Sequence, residues 1–163
     1  GKDFIEHLSE KIWQPLGMEQ EADMMVDSLG TPFAAGGLNL SLRDAARFGQ
    51  LMLQQGVWKG KQIVPSEAVA SVADGGDRLK FSEAGYKTLP GGSYGSQWWA
   101  LHNENGAYSA RGIHGQAIYI DPTAEMVIAR FASHPTSFNA AIDPISLPAY
   151  QAVADYLMDK KDK

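Results

Sequence analysis

The pentapeptide Gly91-Gly92-Ser93-Tyr94-Gly95 is a candidate for nucleophilic chemistry, because it matches the G-x-S-x-G pattern of a strand-to-helix turn that exposes a serine hydroxyl. That pattern requires a strand before the serine and a helix after it. Here Leu89-Pro90 precedes the match in a loop, and residues 97–101 have the aromatic and apolar character of a strand. Ser93 is therefore interpreted as part of a glycine-rich entry to a strand.

A second way to activate serine is the Ser-x-x-Lys pattern, in which a lysine one helical turn later lies beside the hydroxyl. Every serine of this chain lacks that lysine. The residue at the fourth position is, for example, Asp44 after Ser41 and Gly112 after Ser109. The chain alone therefore has no plausible activated nucleophile.

Metal, phosphate and nucleic-acid chemistry have little support. The possible ligands His102, Glu104, His114 and His134 do not show the i, i+4 helical spacing that places two imidazoles on one ion. No phosphate-binding G-x-x-x-x-G-K loop is present. A net charge of −5 gives no basic field for nucleic acid. We therefore expect no metal, no cofactor and no nucleic-acid partner.

Size and composition predict one domain or part of one, since 163 residues with 44% hydrophobic content can form a single core. No apolar run is long enough to span a bilayer, and residues 1–20 do not resemble a signal peptide. The chain has no cysteine, which is compatible with a periplasmic or a cytoplasmic location.

The first helix is predicted to start almost at residue 1. Asp3 with Glu6 resembles a capping box, and apolar residues then recur at helical spacing until Pro15 and Gly17. A natural domain rarely opens with an amphipathic helix and no lead-in. This start therefore indicates that the numbering begins inside a longer protein.

Two more helices are predicted before the strands. Ser41 is expected to cap a helix that Gly56 closes, which is the clearest helix of the sequence. Pro65 suits the first turn of another helix, which ends at Gly75-Gly76. Residues 74–93 are expected to form a long surface loop.

Three antiparallel strands are predicted from aromatic and β-branched residues at 94–102, 108–120 and 126–133, the second with a glycine-marked break. Asn105-Gly106 and Asp121-Pro122 provide the two reversals.

A final helix is predicted to start at Pro148, followed by a charged tail at 160–163. Residues 1–93 are thus mainly helix and loop, and residues 94–163 form a sheet plus a helix. The predicted fold class is α+β.

Four blocks, in this order, resemble serine hydrolases of the β-lactamase and penicillin-binding superfamily (class C type). They are Gly1 to Phe4 continuing through Ile12-Trp13-Gln14-Pro15-Leu16-Gly17-Met18; Ala35-Gly36-Gly37-Leu38 with Ser41-Leu42-Arg43-Asp44 and Arg47-Phe48-Gly49; Tyr94-Gly95-Ser96-Gln97-Trp98-Trp99; and Gly112-Ile113-His114-Gly115-Gln116. The last two blocks look most similar to 6-aminohexanoate-dimer hydrolases and related esterases. The resemblance implies the C-terminal portion of such a domain.

The resemblance also implies an oxyanion donor. In this superfamily a three-residue motif, usually Lys-Thr-Gly and here called the box, lies on the inner edge strand and faces the nucleophile. The backbone N–H of the residue that follows its glycine completes the oxyanion hole. Ala110-Arg111-Gly112-Ile113 resembles that box, so the donor is the Ile113 N–H and Gly112 allows close approach. Ala110 replaces the box lysine, so activity on β-lactams is not expected.

Other residues near the box are candidate substrate contacts. Arg111 could clamp a substrate carboxylate, or it could point to solvent. His114 and Gln116 are expected to flank the substrate groove. Trp98 and Trp99 point to opposite faces of their strand, so one is expected in the core, and Trp98 is assigned to substrate.

The leading hypothesis is a serine hydrolase that cleaves small-molecule amides or esters through an acyl-enzyme, with serine, lysine and tyrosine supplied by the N-terminal half of the same protein. This chain alone would be inactive, and periplasmic or other export is implied by family habit. The alternative is a non-catalytic binding or interaction domain with the same fold. Without the N-terminal strands, the segment 126–133 is expected to be an open sheet edge that promotes self-association.

Overall fold

The computed structural model describes residues 3–161 and has an α+β fold. The start of the first resembling block at Gly1-Lys2 and the end of the charged tail at Asp162-Lys163 lie outside the described residues. Among residues 3–161, no helix is long and apolar enough to cross a bilayer. The main helices are α1 Phe4–Leu8, α2 Gln14–Leu16, α3 Leu42–Leu53, α4 Ser66–Asp74, α5 Arg78–Glu83 and α6 Asp143–Lys161.

The first predicted helix is confirmed and carries an irregular middle turn. The Asp3 carboxylate caps α1 by accepting a hydrogen bond from the Glu6 N–H at 2.7 Å. A π-helical turn at Ser9–Trp13 joins α1 to α2, so Pro15 lies inside the helical run. The run ends at Gly17, which has the left-handed φ of 64° that glycine tolerates best.

Helices α3 and α4 also form where the sequence places them. The Ser41 hydroxyl caps α3 by accepting from the Asp44 N–H at 3.1 Å. The Gly56 N–H closes the α3 end by donating to the Leu51 carbonyl at 2.8 Å. Helix α4 ends at Gly75, whose φ is 70°.

Two local predictions were wrong, and two pairs of short strands were not predicted. The expected loop at 74–93 contains α5, whose cap is the Asp77 carboxylate accepting from the Leu79 and Lys80 N–H groups. Helix α6 begins at Asp143, five residues before Pro148, so Pro144 lies in its first turn and Pro148 lies inside the helix, where it removes one backbone hydrogen bond. The two unpredicted strand pairs are β1 Asp23–Met24 with β2 Leu38–Asn39 and β3 Val57–Trp58 with β4 Lys61–Gln62.

The main sheet has five antiparallel strands in the order β5-β6-β7-β8-β9, where three were predicted. The expected single strand at 94–102 is a hairpin, because Ser96 and Gln97 both have positive φ and reverse the chain. The strand predicted at 108–120 is divided at its glycine-marked break. The strands are β5 Ser93–Gly95, β6 Trp98–Ala100, β7 Tyr108–Arg111, β8 Ala117–Asp121 and β9 Met126–Arg130.

The sheet packs between helix layers. One face of the sheet, called the first face below, packs against α3 and α4. The buried residues of this core are Met52, Val69, Trp98, Tyr108 and Ile120. The other face packs on α6, where the rings of Tyr119 and Tyr150 lie 4.9 Å apart.

Helix α3 approaches the sheet closely because Gly49 has no side chain. A Cβ at this position would lie 2.5 Å from a methyl carbon of Val127 and 2.9 Å from one of Ile118. Alanine would therefore push α3 away from β8 and β9.

Asp44 connects the loop after α2 to the start of α3. Its buried carboxylate accepts hydrogen bonds from the Glu19 N–H at 2.8 Å and from the Gln20 N–H at 3.2 Å. The Ser41 hydroxyl and Arg47 bind the same carboxylate at 2.8 and 2.9 Å. Burial raises the pKa of Asp44 most strongly, but these hydrogen bonds and the arginine charge outweigh it, so the pKa lies below its ordinary value.

This network predicts loss of stability in acid. Because the folded-state pKa is lowered, the contribution is complete above the unfolded value of about 3.9 and is lost as the pH falls further. We expect Asp44→Asn to lower the free energy of unfolding by about 2 kcal/mol at pH 7 and to flatten its fall below about pH 4. Urea unfolding of the full-length protein across pH, with Asp23→Asn as an exposed control, measures this. An unchanged acid limb in Asp44→Asn would contradict it.

Candidate functional site

The candidate site lies where β7 ends and the chain turns before β8. The break Gly112–Gln116 contains a 3-10 turn at Ile113–Gly115, so the predicted donor lies just past the strand instead of within it. The Gly112 N–H donates to the Gln116 carbonyl at 2.9 Å and closes the turn. A Cβ on Gly112 would lie 2.9 Å from the Gln116 Cβ, so only glycine fits without displacement.

The backbone N–H of Ile113 has no hydrogen-bond partner within residues 3–161. Ile113 is the first residue of the 3-10 turn, and the first N–H groups of such a turn have no partner within it. The side chain is 65% exposed. The Ile113 N–H is therefore unpaired within the described residues, and its role as an oxyanion donor stays a prediction.

His114 holds the turn in a left-handed conformation with φ 57° and ψ 19°. Its Nδ1 lies 2.7 Å from the backbone carbonyl oxygen of His134. Because a carbonyl oxygen can only accept, His114 Nδ1 is the donor of this hydrogen bond. The His134 N–H in turn donates to the His114 carbonyl at 3.1 Å. A direct contact of His114 with substrate stays a prediction.

Gln116 uses its amide within the protein. Its Nε2 donates to the Ala132 carbonyl at 2.5 Å, and its Oε1 accepts from the Ala132 N–H at 3.2 Å. The side chain thus continues the pairing of β8 with β9 beyond Arg130. This double contact fixes the distal side of the turn, and a direct contact of Gln116 with substrate stays a prediction.

Arg111 points inward, not to solvent. Its side chain is 7% exposed and forms an ion pair with Asp143 at the start of α6. The guanidinium carbon lies 5.7 Å from the Trp99 ring centroid and 6.0 Å from the Tyr86 ring centroid. The Thr88 hydroxyl also donates to Asp143. The carboxylate that Arg111 binds here is therefore internal, and a substrate clamp stays a prediction.

The structure corrects the assignment of Trp98 to substrate. Its ring is 8% exposed and lies in the core beside Phe48 and Tyr108, with centroids 6.4 and 5.6 Å away. Trp99 points to the opposite face, where it contacts Tyr94 and Arg111. The alternation of the strand was predicted, but the choice of tryptophan was wrong.

Ser93 is a buried structural residue in this chain. Its Oγ accepts from the Gly76 N–H at 3.0 Å and lies 2.8 Å from the His102 Nε2. Burial is the first reason that the pKa of His102 lies below its usual range. Strand β6, not a helix, follows the G-x-S-x-G match, which agrees with the sequence interpretation. In the described part of the chain, no three His, Cys, Asp or Glu side chains converge as a metal site.

Two residues near the site were not identified from the sequence. Asn139 donates from Nδ2 to the Gly112 carbonyl at 3.1 Å, and Asp143 anchors Arg111. Both lie in the segment between β9 and Pro148, where no motif or periodicity marked a contact. Their partners are 27 and 32 residues away in the sequence, so only the fold brings them together.

Most of the chain is similar to 6-aminohexanoate-dimer hydrolases. One from Paenarthrobacter ureafaciens is 40% identical over 136 residues, which are 83% of this chain and 35% of that protein. A solved structure from Bacillus anthracis, provisionally described as a 6-aminohexanoate-dimer hydrolase, is 39% identical, with a TM-score of 0.83 over 98% of this chain and 40% of its own. No protein-family model matches the chain. The chain thus spans 35% to 40% of the length of these relatives.

Proposed function

Since this chain is related to 6-aminohexanoate-dimer hydrolases over most of its length, we propose that it is the C-terminal part of a serine hydrolase for amide or ester bonds. The N-terminal part of the protein supplies the serine and lysine of a Ser-x-x-Lys motif and the tyrosine of the active site. The observation that carries this proposal is the unused Ile113 N–H at the end of β7.

The proposed reaction forms an acyl-enzyme. The serine oxygen attacks the substrate carbonyl carbon, and the carbonyl oxygen takes the negative charge. The Ile113 N–H donates to that oxyanion, for which one fixed donor is typically worth about 10²–10³ in rate. Collapse of the intermediate expels the amine or alcohol with a proton, and water then hydrolyses the acyl-enzyme.

The nature of position 110 supports linear amides or esters over β-lactams. Ala110 stands where the superfamily box usually has lysine, and here it packs against the core of the first sheet face. No ammonium group is therefore available from this position for the carboxylate of a β-lactam. By the name of the relatives, the linear 6-aminohexanoate dimer is the first amide to assay.

An acylation experiment separates the enzyme from the alternative, a non-catalytic binding domain with this fold. The full-length protein is treated with a fluorophosphonate probe, and intact mass and peptide mapping locate the adduct. We expect one adduct per protein on a serine N-terminal to this chain, and hydrolysis of the linear dimer or of an aryl ester. A protein that takes no adduct and cleaves neither substrate supports the binding domain.

The remaining part of the protein is the proposed partner of this chain. Strand β9 pairs only with β8 within the described residues, so its outer backbone groups face away from the sheet. The other edge is closed differently, because Gly75 and Gly76 lie against Ser93 and Tyr94 of β5. We propose that N-terminal strands complete the sheet at β9.

This open edge predicts that residues 1–163 expressed alone self-associate, because unpaired strand edges pair with other chains. Sedimentation equilibrium should show a mass that rises with concentration. Phe131→Lys, at an exposed position directly after the edge strand β9, should shift the protein toward monomer, whereas Tyr94→Lys at an equally exposed position on the covered strand β5 should not. A stable monomer at high concentration would contradict the prediction.

Location outside the cytoplasm stays part of the proposal, since related hydrolases are often exported. Fractionation of the native host into periplasm and cytoplasm, with an antibody to this chain, tests it. Recovery in the cytoplasm alone would reject export.

A further inference from the structure

The peptide unit between Gly112 and Ile113 is held from its carbonyl side. The Gly112 carbonyl and the Ile113 N–H belong to the same planar amide, so a force that orients the oxygen also orients the N–H. Asn139 Nδ2 donates to this carbonyl at 3.1 Å. Because a carbonyl can only accept, the asparagine must present its NH₂ group here, which fixes the orientation of its amide.

The hydrogen bond from Asn139 to the Gly112 carbonyl also affects the donor strength of the Ile113 N–H. A hydrogen bond to the oxygen of an amide polarises it and makes its N–H a stronger donor, because hydrogen bonds in a chain reinforce one another. The acceptor of the Ile113 N–H would be the developing oxyanion. The Asn139 side chain, the peptide unit and the oxyanion would thus form one continuous hydrogen-bonded chain.

Asn139 is itself well anchored. Asn139 is the first residue of the 3-10 turn Asn139–Ala141, and its backbone carbonyl accepts a hydrogen bond from the Ile142 N–H at 2.9 Å. That turn leads directly into α6, whose first residue Asp143 is buried and paired with Arg111 on β7. The ion pair therefore keeps Asn139 at a fixed distance from the end of the same strand.

Given the hydrolase function proposed above, we infer that Asn139 is a positioning residue, which aims and polarises the Ile113 N–H toward the oxyanion without touching the substrate. Asn139→Asp keeps the shape but replaces the donor by an acceptor, and Asn139→Ala removes the amide. Asn139→Gln retains a donor on a longer side chain. Removal of one such bond typically costs the equivalent of about tenfold in rate.

The test uses the full-length protein and the linear 6-aminohexanoate dimer. We expect kcat to fall about tenfold in Asn139→Asp and Asn139→Ala while KM changes less than about twofold, with partial recovery in Asn139→Gln. The affinity for phenylboronic acid, which forms a tetrahedral anion on the serine, should fall in parallel with kcat. A matched control is Asn39→Asp, since Asn39 Nδ2 also donates to a glycine carbonyl, that of Gly37 at 3.3 Å.

The outcomes separate this inference from the proposed function. Wild-type kcat and boronate affinity in Asn139→Asp, or an equal loss in Asn39→Asp, would overturn the positioning role. The same holds if the whole effect appears in KM. If Ile113→Pro retains turnover, the placement of the oxyanion donor fails, and the role of Asn139 fails with it. If Ile113→Pro is inactive and Asn139→Asp is not impaired, only the positioning role is rejected.

Discussion

Replacing Ile113 by proline in the full-length protein is expected to lower kcat/KM for amide substrates by about 10²–10³. Proline has no N–H, so the substitution removes the proposed oxyanion donor and leaves the rest of the chain in place. No other single substitution in the described residues changes this donor so directly.

The fold should accept this proline. Ile113 is the first residue of its 3-10 turn, where proline is favoured because the N–H has no partner in the turn. Gly112 has φ −99° and ψ 174°, an extended conformation that a residue before proline readily adopts. The melting temperature is therefore expected to stay close to that of the wild type.

A matched control is Ile113→Ala, which keeps the N–H and removes a side chain that is 65% exposed. Its kcat should remain close to the wild-type value. Steady-state assays of both variants on the linear dimer, with thermal unfolding in parallel, make the measurement. A proline variant as active as the alanine variant would show that the donor lies elsewhere.

The place of the proposed donor came from the resemblance of residues 110–113 to a superfamily motif, whereas the local geometry could not be predicted. The resemblance assigns close approach to Gly112 and the donor to Ile113, and the structure puts both residues directly after β7. The 3-10 turn that frees the N–H depends on the left-handed His114, and histidine does not mark such a conformation in a sequence.

The number of strands shows the same limit. Asn105-Gly106 correctly predicted the chain reversal between β6 and β7, because Asn-Gly is the strongest short hairpin signal in a sequence. The reversal at Ser96 and Gln97 has no glycine or asparagine, yet both residues have positive φ. A turn that tertiary packing imposes on ordinary residues leaves no local signal, so one predicted strand became two.

Long-range polar contacts could not be predicted in principle from spacing alone. The sequence left open whether Arg111 clamps a substrate or points to solvent, and the structure shows an internal ion pair with Asp143, which lies 32 residues later. The aromatic rings of Trp99 and Tyr86 cover the guanidinium. Burial also raises the pKa of the Tyr86 hydroxyl, which is consistent with a desolvated environment.

Arg111→Met is expected to lower the free energy of unfolding by about 3–5 kcal/mol, because it leaves the buried Asp143 carboxylate without its cation. The double variant Arg111→Met with Asp143→Leu should recover most of the loss, since neither charge then remains buried. A matched surface pair is Lys161 with Glu125 at 2.8 Å, and Lys161→Met should cost less than about 1 kcal/mol.

Urea unfolding of these variants in the full-length protein, together with kcat and KM, separates the two roles of Arg111. An internal ion pair predicts a large loss of stability that the second substitution repairs. It also predicts a fall in kcat, because α6 and Asn139 lose their anchor to β7. A substrate clamp predicts nearly unchanged stability and a KM that rises for substrates with a carboxylate, with no repair by Asp143→Leu. The structure favours the first result, because the guanidinium is 7% exposed and already binds a carboxylate.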